Sequence, residues 1–359
     1  AYQAAVGGDL STEGEGVLMR FKIYRYNPET DAEPYMQAFE LENVRAGLFD
    51  VVNRLWGITF NERPDIPVYQ EDVKVYEVKD ADGSTLAIWY SDYFPRESKR
   101  GGAWMSSFRK QRYDGDERVI PIIYNVGNFT RPTADTPALL SADEVGTLFH
   151  EFGHALHGIL SDCRYQTLSG TAVARDFVEL PSQVIENWAF EREVLDLFAN
   201  HWQTGEKIPA ELVDKLEKSR LFNQGFETVE YTAASFLDMD WHTVDKAEKR
   251  DVLAFEDASL DGIGLIDEIA SRYRSTYFRH IFAGGYSAGY YSYLWAEVYD
   301  ADAFEAFRET GDIFDKETAK RFRETILARG GTADGMELYR AFRGRDPEIG
   351  PLLASAGYA

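Results

Sequence analysis

His150-Glu151-Phe152-Gly153-His154 reads H-E-x-x-H, and the residues around it are spaced as a helix. Four residues advance a helix by slightly more than one turn, so both imidazoles leave one face, one above the other. At that separation they can share a metal ion. Glu151, between them, points aside toward where an attacking water would sit. Two histidines, a third ligand and a water make a catalytic zinc site with one exchangeable position, and Glu151 then serves as general base. Working outward, Ser141 with Glu144 three residues later forms a capping box. Val145 to Leu160 contains no proline. Val145, Leu148, Phe149, Phe152, Ala155, Leu156, Ile159 and Leu160 supply an apolar surface wide enough for burial on most sides. A buried helix with His150, His154 and His157 on one stripe needs an explanation, because unpaired polar groups in a core are costly. Hydrogen-bonded core histidines are the alternative to a metal, and the capping box and apolar context weigh for the metal.

The third ligand decides the class. An extended H-E-x-x-H-x-x-G-x-x-H would place Gly at 157 and His at 160. This chain has His157 and Leu160 there, which excludes that class and leaves an acidic ligand from a later helix. Glu179, Glu186, Glu191 and Glu193 all follow within reach, and spacing does not choose among them. Asp176-Phe177-Val178-Glu179-Leu180-Pro181-Ser182-Gln183 reads as the entry to a helix, with Pro181 tolerated near its first turn. Glu179 falls in that first turn. Glu186, two turns on, shares its face and is a candidate to orient a ligand histidine. Glu186 and Glu191 read equally well as a solvated helix face.

The run from His150 to His157, followed by Asp176 to Gln183, resembles the thimet oligopeptidase family of zinc metallopeptidases, which includes oligopeptidase A and dipeptidyl carboxypeptidase. Further stretches resemble it too: Lys99-Arg100-Gly101-Gly102-Ala103-Trp104-Met105, Asn128-Phe129-Thr130-Arg131-Pro132, His280 to Trp295, and Leu338 to Arg345. The resemblance runs from about residue 20 to the end. It implies that His150, His154 and Glu179 hold one Zn2+ per chain. It further implies that Tyr286 and Tyr293 meet the substrate or the tetrahedral intermediate, with His280 as another substrate-site residue.

Ala283-Gly284-Gly285-Tyr286-Ser287-Ala288-Gly289-Tyr290-Tyr291-Ser292-Tyr293 also has a reading of its own. Its glycines make the backbone permissive and its tyrosines supply phenol donors. Such a loop suits a mobile element over a cleft, where a phenol can stabilise an oxyanion. A tyrosine-rich packing segment is the plainer alternative, and Tyr290 and Tyr291 are expected to pack. His201 and His242 lie outside every motif and read as surface or packing residues.

The chain has 359 residues, 44% of them hydrophobic and 14% aromatic, enough for a substantial core. Its net charge of −23 argues against nucleic acid or an anionic membrane surface as partner. One cysteine, Cys163, rules out an internal disulfide and reads as a buried thiol. No stretch approaches a membrane span, and a cytoplasmic enzyme acting on peptides is expected.

Strands are expected at Val73–Val78, Thr85–Tyr90 and Val119–Tyr124, the last an edge because of Pro121. Helices are expected at Phe39–Trp56, Pro209–Phe222, Asp245–Phe255, Leu260–Tyr273, Tyr291–Thr310 and Lys316–Ala328. The expected architecture is therefore mainly α: a helical, gluzincin-like catalytic domain with a small antiparallel sheet beside the zinc helix. Residues 1–20 read as an irregular start and 21–359 as a single catalytic domain. Family members are normally longer, with a helical half before this region. A homodimer or a partner chain is expected to cover what that half would bury. Rival readings are a dipeptide-releasing carboxypeptidase, anchored by one of Arg272, Arg274, Arg279 and Arg343, and a non-catalytic peptide-binding half.

Overall fold

The computed structural model describes residues 38–358. The irregular start expected over 1–20 lies outside them. Strand β1 (Phe39–Glu40) leads into helix α1 (Leu41–Trp56). The chain then lays down β2 (Thr59–Glu62), β3 (Lys74–Lys79), β4 (Thr85–Asp92), β5 (Trp104–Arg109), β6 (Arg112–Asp114), β7 (Glu117–Val119), β8 (Ile122–Val126) and β9 (Leu139–Leu140). Helices follow: α2 (Ala142–Ile159), α3 (Leu180–Ala189), α4 (Arg192–Phe198), α5 (Ala210–Arg220), α6 (Gln224–His242) and α7 (Val252–Gly262). After them come α8 (Arg279–Phe282), α9 (Ser292–Arg308), α10 (Lys316–Phe322), α11 (Gly335–Arg343) and α12 (Gly350–Ser355). The mainly helical architecture with a small sheet is as the sequence leads one to expect. No helix among the described residues is long and apolar enough to cross a membrane.

The sheet differs from expectation in direction. Among the described residues its order is β2-β3-β4-β8-β5, with β1–β9 and β6–β7 as separate ribbons. It is mixed rather than antiparallel throughout, because β4 and β8 run parallel, from Ile88 opposite Ile122 to Asp92 opposite Val126. Alternation along a strand reports which face is buried and says nothing about the direction of the neighbour. Here β5 runs back and β8 inserts between β4 and β5, after the long connection that a parallel pair needs. The predicted edge at Val119–Tyr124 is therefore interior. Pro121 sits just before β8, where its missing N–H removes no ladder bond, and its carbonyl accepts from the Ile88 amide at 3.1 Å. The edges are β2 and β5, and β5 lies against α2.

Two helix expectations also shift. Asp245–Phe255 and Leu260–Tyr273 are replaced by the single helix α7. Asp251 caps its start, accepting from the Leu253 and Ala254 amides, and Gly264 follows its end with φ +71°, a conformation that favours glycine. Helix α6 occupies a stretch for which no element was expected. The run Lys316–Ala328 is helical but loosens into a π turn over Arg323–Leu327.

Helix α2 lies between the sheet and α3. Phe152 meets Trp89 of β4 edge-on, with ring centroids 5.0 Å apart, and both side chains are fully buried. Burial of a phenylalanine of this kind contributes about 1.5–3 kcal/mol. On the other side α2 approaches α3 so closely that a Cβ on Gly153 would lie 2.4 Å from the Pro181 carbonyl oxygen and 2.6 Å from Ser182 Cα. These are backbone atoms and cannot step aside. A second, smaller core of Ala234, Leu237, Phe278, Ile281 and Tyr290 joins α6, α8 and the start of α9.

The Gly153 contact yields a test. Gly153→Ala should lower stability by roughly 1–3 kcal/mol through overpacking and weaken metal binding as α3 is pushed away. Denaturant unfolding and metal titration check both.

Candidate metal centre

The capping box forms as the residue types require. The Glu144 amide donates to Ser141 Oγ at 3.1 Å, and the Ser141 amide donates to Glu144 Oε2 at 2.9 Å. From that start α2 carries His150 and His154 on one face, with ring centroids 4.9 Å apart. Both rings turn Nε2 toward the same atom, Glu179 Oε2, at 3.2 Å from His150 and 3.1 Å from His154. Glu179 is the N-cap residue of α3 and is buried. Of the four acidic candidates it is the one that reaches both imidazoles. Glu186, one face along α3, takes the other nitrogen of His150, with Nδ1 to Oε1 at 2.6 Å. Glu191 pairs with Arg308 and Glu193 with Arg54. His150, His154 and Glu179 form the group among the described residues whose donor atoms converge closely enough to hold a metal ion.

The electrostatics match a cradle for positive charge. Burial opposes a proton on His150, yet Glu186 and Glu179 together hold its pKa well above the ordinary value. Burial likewise opposes charge on Glu179, and His154 and His150 hold it well below the usual carboxylate range. The same attraction acts on a divalent cation. Ser182 Oγ lies 2.9 Å from Glu179 Oε2 and at the same distance from the Glu179 carbonyl, so the carboxylate is oriented from its own helix.

Glu151 lies buried on α2, and burial pushes its carboxyl up from the ordinary value. Its Oε2 has no hydrogen-bond partner among the described residues. Its peptide carbonyl accepts from Asn125 Nδ2 at 2.6 Å, and Asn125 Oδ1 accepts from Trp89 Nε1 at 2.6 Å. The sheet therefore fixes the backbone at Glu151. Asn125 was missed by sequence reasoning, and no local signal marks it, because its partners are 26 and 36 residues away.

The tyrosine loop comes to the same place. Tyr286 donates its hydroxyl hydrogen bond to Glu179 Oε1, and its ring stacks on Tyr293 at 5.0 Å and 17°. Burial and then the Glu179 carboxylate push both phenols up, so both remain proton donors. Arg175, also unforeseen, lies with its guanidinium 4.5 Å from the centre of the Tyr286 ring. His280 sits among these rings, 6.2 Å from Tyr286 and 6.3 Å from Tyr293 by ring centroids. Burial, then Arg272, lower its pKa. Tyr290 packs in the second core as expected, whereas Tyr291 is exposed.

The remaining histidines and the cysteine stand apart from the metal cluster. His157 is fully buried with neither ring nitrogen partnered among the described residues. Burial, then His154, push its pKa down to about 3, so it is neutral. Cys163 is buried, with Sγ 3.3 Å from the Arg329 carbonyl oxygen. His201 accepts from the Gln203 and Thr204 amides in its own turn.

A family model described as peptidase family M3 matches residues 20–358. Dipeptidyl carboxypeptidase of Salmonella typhimurium is 46% identical over 332 residues, covering 92% of this chain and 48% of its own length. Oligopeptidase A of Escherichia coli is 40% identical over 314 residues, covering 87% and 46%. Organellar oligopeptidase A of Arabidopsis thaliana is 39% identical over 366 residues, covering 99% and 46%. The chain spans about half the length of the curated relatives it matches.

The Glu186 contact predicts a graded effect. Glu186→Ala should weaken zinc binding by about 10–100-fold, as loss of a partner that orients a ligand histidine does. Glu186→Gln should weaken it less, because its side-chain oxygen still accepts from Nδ1–H. Competition with a chelator measures both.

Proposed function

The chain belongs to peptidase family M3, and from that premise we propose that it hydrolyses peptide bonds in short or unfolded peptides, with one zinc ion as cofactor and Glu151 as general base. The observation that carries this reading is the convergence of two imidazole nitrogens on one carboxylate oxygen at 3.2 and 3.1 Å. Ligand bonds of 2.0–2.1 Å in a tetrahedral arrangement put donor atoms about 3.3 Å apart, which both histidine–Glu179 separations match. The side chains of His150, His154 and Glu179 would hold it, and residues 21–359 act as one catalytic domain.

Zinc bound there supplies a Lewis acid that polarises the peptide carbonyl and makes water more acidic. The protein's own groups do the rest. Glu151 projects from the turn that carries both histidines, takes a proton from the attacking water and delivers it to the leaving amine. Its apolar surroundings favour the protonated form and so suit it to that second role. Tyr286 and Tyr293 present phenol hydrogens beside Glu179, where they donate to the developing oxyanion. To do so the Tyr286 hydroxyl leaves the Glu179 oxygen that it touches here. His280, whose ring lies 6.2 and 6.3 Å from those of Tyr286 and Tyr293, is a further substrate-site residue in this reading.

A second reading, release of dipeptides from the carboxyl end, is supported by Arg175. It is exposed, makes no ion pair among the described residues and lies over Tyr286. Of the arginines expected from sequence, Arg272 pairs with Glu230, Arg274 with Glu256, and Arg343 with Glu309 and Asp302. Those three charges are already answered, whereas Arg279 is exposed on α8. Arg175 is free to take a terminal carboxylate. A covering chain, either a second copy or another partner, is the reading supported by the exposed apolar side chains Phe226, Phe236, Leu253, Ile266, Phe282 and Trp295.

Two experiments test these readings. Glu151→Gln should bind zinc normally and lose about 10²–10⁴-fold in kcat, while Glu179→Ala should lose the metal; a quenched peptide assay with metal analysis reads both, and wild-type turnover by Glu151→Gln overturns the base assignment. Arg175→Gln should raise KM about tenfold or more for peptides with a free carboxyl terminus and leave their C-terminal amides unaffected. Equal effects on both substrates would remove the dipeptide-releasing reading.

A further inference from the structure

We propose that Asp238 of α6, backed by His242, is the positioning residue that sets the tyrosine loop over the metal cluster; this rests on the proposed hydrolysis and deepens it. Asp238 is fully buried. Its Oδ1 accepts from the Ala288 amide at 2.9 Å, and its Oδ2 accepts from the Gly289 and Tyr290 amides, both at 2.8 Å. Three successive backbone N–H groups thus close on one carboxylate, a concave arrangement suited to an anion. His242, one turn on in α6, lies with Nδ1 2.8 Å from both the Asp238 carbonyl oxygen and Oδ1. No lysine or arginine pairs with Asp238 among the described residues, and its carboxylate oxygens accept from the three loop amides.

The loop backbone shows why an anchor is needed. Ala288 has φ +51°, in the left-handed region that residues with a Cβ disfavour. It is one of two non-glycine residues in that region among the described residues. Across the turn itself the Tyr286 amide donates to the His280 carbonyl, and the Gly289 amide, shared with Asp238 Oδ2, donates to the Tyr286 carbonyl. Neither involves the Ala288 amide, whose acceptor is Asp238. Two residues before this strained turn stands Tyr286, with its hydroxyl on Glu179 and its ring stacked on Tyr293. Tyr231, also on α6, meets the edge of Tyr290 at 5.4 Å. Helix α6 therefore grips one side of the loop while the other side carries the phenols that meet the metal ligand. The Gly289 amide, held by Asp238, also donates to the Tyr286 carbonyl, and that is the link from the carboxylate to Tyr286.

Asp238→Asn tests this, because it keeps the shape and puts an NH2 donor where one acceptor stood. With the amide oxygen on Ala288, the Gly289 and Tyr290 amides face a donor. The expected result is a kcat about 100-fold lower on a quenched peptide, KM within about threefold, and unchanged zinc content. Deuterium uptake should rise across residues 284–293 and stay unchanged in α2. Tyr286→Phe should cost much in the native background and under threefold in the Asp238→Asn background, since both changes remove the same interaction. Ala288→Gly should restore about tenfold in the Asp238→Asn background, because glycine adopts the left-handed turn freely. Full activity of Asp238→Asn, additive losses with Tyr286→Phe, or unchanged uptake in the loop each overturns the proposal. A native chain that binds zinc and cleaves no peptide counts against the proposed hydrolysis instead, and the deuterium uptake then decides the anchor by itself.

Discussion

The approach of α2 to α3 at Gly153 is the constraint on which the site depends. A metal-binding carboxylate must lie within a few tenths of an ångström of a fixed distance from two imidazoles. Glu179 is separated from His154 by a loop and belongs to another helix, so its distance is set by how closely two backbones pack. The absence of a side chain at position 153 allows the Pro181 carbonyl to come where a Cβ would stand. Pro181 in turn sits in the first turn of α3, one residue after Leu180. The chain leaves Glu179 at the helix entry with its carboxylate turned to both rings. Glycine inside a helix costs about 1 kcal/mol relative to alanine, and here that cost is offset by the close packing.

Around that contact the protein surrounds each group of the cluster with neighbours that hold it. Glu186 holds His150, Ser182 holds Glu179, and the Trp89–Asn125 pair holds the peptide of Glu151. These partners come from α3, from its first turn and from the sheet respectively. The mixed sheet has a direct part in this. Because β8 inserts between β4 and β5, Asn125 lies beside α2 and within reach of Trp89 on β4.

The two cores divide the labour. The larger one, with α1, the sheet, α2, α3 and α9, positions His150, His154 and Glu179. The smaller one, with α6, α8 and the start of α9, carries the tyrosines. The loop between Gly284 and Tyr293 joins them, and its contacts with Glu179 on one side and Asp238 on the other are polar and directional. In the smaller core Phe278 and Tyr290 meet edge to face at 4.9 Å, a geometry that favours one arrangement over sliding.

Much of the site was legible because its information is local. The H-E-x-x-H spacing, the capping box at Ser141 and the proline at the start of α3 each act within one or two helical turns, and the 3.6-residue repeat places the side chains. Resemblance carried Glu179 and the two tyrosines, which spacing left open. Helix α6 and the bounds of α7 were missed because mixed polar and apolar residues around a small core weaken periodicity. The direction of β8, and with it the place of Asn125, was not legible at all, since alternation has no sign. The amino-acid sequence by itself determined the helix that presents two imidazoles and an acid, because hydrogen bonds four residues apart suffice to build it. Which glutamate joins them, what holds Glu151 and what grips the tyrosine loop were decided by tertiary structure alone, because each depends on contacts between backbones far apart in the chain.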